Sequence, residues 1–214
     1  MKLFSKVALL TLGLALASTA SFADTVSMTF TGTSGASYGA DYIYPYYFSL
    51  NGSSTSTSLM CVSFQDEIYQ GESWNATTAS ITTSSSATAQ EDAYLFSLIG
   101  DSTYTNTDIQ EAAWYLSDTT PGAVPTTSAD TALLLAATDA VSLADADPGV
   151  ASSFDDGQFT LYTPVAGSQP ACDGTPQSFV GDSPVPEPSS LLLMASGLFG
   201  CAGLLYSRRR GAVL

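Results

Sequence analysis

The chain has 214 residues, 20 of them acidic and 5 basic, with no histidine and a formal net charge of −15. Lys2 and Lys6 stand at one end and Arg208, Arg209 and Arg210 at the other, so the stretch from Asp24 to Asp182 holds nineteen of the twenty acids and no basic side chain. Such a surface repels phosphate backbones, which excludes nucleic acid as a partner, and a chain without imidazole has neither a Ser-His or Cys-His base nor a zinc site built on His.

Carboxylate chemistry is what remains. The adjacent acids Asp66-Glu67, Glu91-Asp92 and Asp155-Asp156 are expected as solvated surface in so acidic a chain, not as a catalytic pair. An enzyme is therefore not expected, nor is a cofactor or a metal site. Asp145-Ala146-Asp147-Pro148-Gly149 lacks the later ligands of a calcium loop and reads as a turn.

In chain order, residues 1–23 combine a basic start, an apolar run from Val7 to Ala17 and a small-residue exit at Ser21-Phe22-Ala23. That is a secretory signal peptide, cut by a signal peptidase, and it is too short and wrongly flanked for a permanent span. Val26, Met28 and Phe30 then alternate with small polar residues as in a strand. Tyr42 to Leu50 is an aromatic strand in which Pro45 favours an edge or a bulge. Its tyrosines, Tyr42, Tyr44, Tyr46 and Tyr47, suit a core or a sugar-stacking face. Leu59 to Phe64 and Trp74 to Ile81 also read as strands. Asn51-Gly52-Ser53 and Asn75-Ala76-Thr77 have the glycosylation pattern, a short motif of little weight on its own.

Helical spacing takes over from Ala87 to Ile99, ended by Gly100. A second helix is expected over about Thr107 to Leu116, with Asp108 and Glu111 in its first turn, where acids suit the helix dipole. A third runs from Ser128 to Leu143, capped by Ser128 or Asp130. Strand patterns return at Gln158 to Thr163 and near Phe179. The fold class is α+β: a β-rich exported domain, 24–168, with inserted helices, followed by a Gly/Pro/Ser-rich linker, 169–184.

At the carboxyl end, Val185-Pro186-Glu187-Pro188 precedes eighteen uncharged residues, 189–206, and then Arg208-Arg209-Arg210. The apolar stretch is just long enough to cross a bilayer, and the arginines hold its end in the cytoplasm and stop transfer. The prolines keep the motif extended and fit to lie in a processing cleft. Motif, helix and arginine cluster in that order resemble the PEP-CTERM sorting tail, over 185–211. The resemblance implies an exosortase-type membrane enzyme as partner, with Pro186, Glu187 and Pro188 as the recognition element. The protein is then expected to be anchored in the inner membrane at least transiently before reaching the cell surface or extracellular matrix.

Cys61 lies in an apolar strand, Cys172 in the polar stretch near Pro170, and Cys201 in the membrane helix. Export permits a Cys61–Cys172 disulfide. Gln110 raises another possibility. On its helix it shares a stripe with Trp114 beside the apolar face of Ile109, Ala113 and Leu116, an unusual place for an amide that needs partners. Met60-Cys61-Val62, Tyr94 to Gly100, Gln110-Glu111-Ala112-Ala113-Trp114 and Ala132-Leu133-Leu134 together resemble the thioester domain of bacterial surface adhesins. That family implies an internal thioester between Cys61 and Gln110 and covalent attachment to an amine or hydroxyl on another surface. Met60 departs from the aromatic or Leu usual there, and the Cys-to-Gln interval is compact. Thioester, disulfide and free thiols all stay open, and so do two functions: covalent adhesin, or non-covalent exopolysaccharide-binding or structural biofilm-matrix protein with the Cys61–Cys172 bridge.

Overall fold

The computed structural model describes residues 24–39, 41–117, 127–146, 156–168 and 175–183. The expected signal peptide, the sorting motif, the arginines, Cys172 and the apolar stretch 189–206 lie outside the described residues. Among the described residues no helix is long and apolar enough to cross a membrane.

The chain runs β1 (Asp24–Thr33), β2 (Ser37–Tyr38), β3 (Asp41–Tyr42), β4 (Tyr46–Leu50), β5 (Ser56–Cys61), β6 (Ser73–Thr82), α1 (Ala87–Ser97), α2 (Asn106–Ser117), α3 (Ser128–Ala146), β7 (Asp156–Pro164) and β8 (Phe179–Asp182). Six strands close an antiparallel barrel in the order β1-β4-β5-β8-β7-β6, and β2 and β3 form a separate hairpin. The β-rich domain with inserted helices is the architecture expected from the sequence. One boundary differs. The stretch expected as linker, 169–184, contains β8, which pairs with both β5 and β7 and so closes the barrel. Without it β5 and β7 would each present an unpaired edge.

Period-two alternation sorts the strand side chains into two cores. Val26, Met28 and Phe30 of β1, Phe48 of β4, Leu59 and Cys61 of β5, Trp74 of β6, Tyr162 of β7 and Phe179 of β8 fill the barrel. Met60, Ile81, Phe159 and Val180 point outward and are covered by the helices, through Leu95, Ile109, Ala113 and Leu133. Inside, Phe48 stands edge-on to Trp74 and Phe179, with ring centroids 5.8 and 4.7 Å apart. Each such pair contributes about 0.5–1.5 kcal/mol beyond burial. Gly181 permits this filling, because a Cβ there would lie 2.3 Å from Leu59 Cδ2. Gly32 sits where the β1–β4 register shifts, at φ +136°, a bulge that a residue with a Cβ would strain.

Local chemistry sets the helix starts. Ser86 Oγ accepts from Ala89 N–H at α1. At α2, Thr105 and Asp108 form a reciprocal box: Asp108 N–H donates to Thr105 Oγ1 at 3.2 Å and Thr105 N–H donates to Asp108 Oδ2 at 3.0 Å. Thr127 and Asp130 repeat the box at α3, so its cap is Thr127 and not Ser128 or Asp130. Glu111 also departs from expectation, since it lies past the first turn of α2 and is buried. Six successive residues, Ile109 to Trp114, are buried because α1, α3 and the barrel enclose α2 on all sides.

Candidate functional site

β5 turns Met60 towards the helices and Cys61 into the barrel. α2 crosses beside β5, and its two polar residues on one stripe, Gln110 and Trp114, both reach Cys61. The Gln110 Nε2 donates to the backbone carbonyl of Cys61 at 2.5 Å. The Trp114 indole N–H points at Cys61 Sγ, 3.5 Å away, and the thiol donates to Ser63 O at 3.2 Å. Phe64 closes over the indole with centroids 5.1 Å apart. Cys61 and Gln110 are each 0 % exposed, so the two residues singled out in the sequence meet out of reach of bulk solvent.

Two features of this compartment bear on chemistry. Gln110 Oε1 is buried with no partner. Turning the amide over would set Oε1 against the Cys61 carbonyl, two acceptors facing, so the orientation is fixed and one acceptor stays orphaned. An unsatisfied buried acceptor costs about 1–3 kcal/mol. The second feature is the thiol, which burial pushes up to about 12; the Trp114 N–H and Ser63 backbone partly oppose this, while Asp66 and Asp92 add to it. Cys61 is thus a neutral thiol beside a fixed carboxamide, and its sulfur is free.

Asp92 corrects the expectation that Glu91-Asp92 is solvated surface. It is 3 % exposed on α1, its Oδ1 has no partner, and burial followed by Glu91 holds its carboxyl well above the usual range. Its position follows Ala89, Ala93 and Phe96 on the core face of α1, a spacing that identifies it. Ser63, whose carbonyl receives the thiol, carries no such signal, because backbone acceptors leave no mark in residue type. The tyrosine cluster divides: Tyr46 is buried in the barrel, Tyr42 is exposed, and Tyr44 lines a groove of about 360 Å³ together with buried Phe96 and Phe159 and exposed Ser97, Gln158 and Asp182. Asn51 opens the β4–β5 turn and its Oδ1 accepts from Ser27 N–H. Among the described residues no three His, Cys, Asp or Glu side chains gather as a metal site.

Comparison with known proteins gives two findings. Residues 184–210 match the PEP-CTERM protein-sorting motif, which implies export and surface sorting by an exosortase. Among solved structures, the N-terminal thioester domain of a surface protein from Clostridium perfringens aligns with 76 % of this chain and 100 % of its own at 10 % identity and a TM-score of 0.42. A score that low carries no argument about chemistry. No curated protein matches the chain.

Proposed function

We propose that the exported domain of this exosortase-sorted protein is a covalent surface adhesin carrying an internal thioester between Cys61 Sγ and Gln110 Cδ. The observation that carries the reading is the Gln110 carboxamide held on the Cys61 backbone by a 2.5 Å hydrogen bond, both residues fully buried. The thiol attacks Cδ, the C–N bond breaks, and the thiol proton leaves with the nitrogen as ammonia. The protein supplies proximity, worth a large part of an entropic barrier, and a dry setting that protects the acyl bond from water. An external amine or hydroxyl then takes the acyl group, leaving a link through Gln110 and a free Cys61 thiol. The domain offers the bond no lysine of its own.

Intact mass of the purified chain tests this. The wild type is expected to be lighter than its sequence by one ammonia, and Cys61→Ala to restore the full mass. A wild type at full mass, or one lighter by two hydrogens that reductant returns, contradicts it. A second reading, non-covalent binding of exopolysaccharide, is favoured by the mix of aromatic and polar side chains lining the groove at Tyr44, Phe96 and Phe159. Tyr44→Ala weakens retention on neutral polysaccharide under that reading and leaves the mass signature untouched.

A further inference from the structure

Glu111 follows Gln110 in the enclosed run of α2 and is 1 % exposed; Asp130, at the start of α3, is 0 % exposed. Asp130 acts on the Glu111 carboxyl, and Glu111 Oε1 and Asp130 Oδ1 are both buried with no donor. Carboxylate oxygens only accept, so two ionised groups in contact leave each other orphaned and set like charges together where screening is poor. No lysine, arginine or histidine stands between Asp24 and Asp182, so a proton is the only counter-charge the domain itself has for such a pair. One proton between the two oxygens removes both defects.

We infer that Glu111 and Asp130 share a single proton, and that this carboxyl–carboxylate clamp is the positioning element that fixes α2, and with it the Gln110 carboxamide, against Cys61. The positioning role rests on the thioester reading; the shared proton does not. Asp130 raises the Glu111 carboxyl from α3, Asp108 of its own helix adds to this, and the Tyr38 hydroxyl opposes it from β2. The acids of α1 act elsewhere, Glu91 on Asp92 and Asp92 on Cys61. Asp130 Oδ2 already accepts the Thr127 N–H at the start of α3, so the donor between the two carboxyl groups comes from Glu111. Burial and Asp130 push its carboxyl up to about 7 from an ordinary 4.5. A carboxyl raised in the folded state stabilises fully below its unfolded value and loses that stability as pH climbs through the folded one, so the clamp weakens between about 4.5 and about 7.

The test is unfolding of the full-length chain in urea at about pH 5 and about pH 8, for wild type, E111Q and D130N. Each variant replaces the shared proton with an amide donor that does not titrate. The wild-type unfolding constant is expected to rise on the order of tenfold more than that of either variant across this range. An infrared carbonyl band from a protonated carboxyl, present in wild type and missing in E111Q, is a readout that a merely structural side chain does not move. If E111Q does not fold, D130N carries the same comparison. Variants as pH-dependent as wild type overturn the shared proton, even if methylamine still labels Gln110. Failure of methylamine to label any of the three overturns the positioning role together with the thioester, while flattened unfolding still establishes the proton. With labelling intact, the ratio of wild-type to E111Q labelling rates should change across pH 7; a constant ratio overturns the positioning role alone.

Discussion

The barrel interior and the helix layer bury different kinds of side chain. Inside the barrel, Met28, Phe48, Leu59 and Phe179 are fully buried and apolar, and aromatic rings pack edge against face. Of the six buried polar or charged residues among those described, five stand on the helices: Gln90, Asp92, Gln110, Glu111 and Asp130. All five have a side-chain oxygen without a partner. Buried polar groups lower stability unless they are hydrogen-bonded. A barrel that holds itself together by apolar burial provides a frame on which a helix layer tolerates such groups, and Cys61 lies where the two regions meet.

Four substitutions separate the regions, from the largest expected effect to the smallest. Phe48→Ala removes the ring that touches Phe30, Trp74 and Phe179. It should lower stability by about 3–5 kcal/mol in denaturant titration, and a loss below about 1 kcal/mol would mean that the barrel is not the frame. Asp92→Asn acts in the opposite sense. The folded state keeps the Asp92 proton that the unfolded chain gives up, so wild-type stability falls as pH rises and the variant gains on it, by roughly 1–3 kcal/mol at alkaline pH. Equal pH profiles for the two proteins would show Asp92 to be hydrated. Trp114→Phe keeps a ring against Phe64 and deletes the N–H aimed at the thiol. We expect about 1 kcal/mol of destabilisation and slower loss of ammonia from newly folded chain; unchanged kinetics would remove Trp114 from the chemistry. Thr127→Ala opens the box at the start of α3 and should lower the melting temperature by the equivalent of ~1 kcal/mol, with no effect on ammonia loss.

The same division explains what the sequence made legible. Strands announced themselves where inward residues are large and outward ones small and polar, as at Val26, Met28 and Phe30. Barrel closure did not, because β8 is four residues, Phe179–Asp182, in a Gly/Pro/Ser-rich stretch, and it pairs with Cys61 and Met60 across more than a hundred residues of chain. Nothing local specifies such a pairing. Cys61 and Gln110 were legible because a thiol in an apolar strand and an amide on a core stripe are out of place. Glu111 was misread as a first-turn acid. Only the enclosure of α2 by three neighbours makes its whole circumference interior, and enclosure is a tertiary property. The Thr-x-x-Asp boxes at Thr105 and Thr127 were in plain view, and the second was assigned one to three residues late.

The most direct measurement of the central claim is where methylamine goes. Peptide mapping after exposure of the native chain should find a methylamide on the Gln110 side chain and a Cys61 thiol that takes an alkylating reagent only once the amine has reacted. An unmodified Gln110, with Cys61 alkylated as soon as the chain is unfolded and no amine needed, would contradict it.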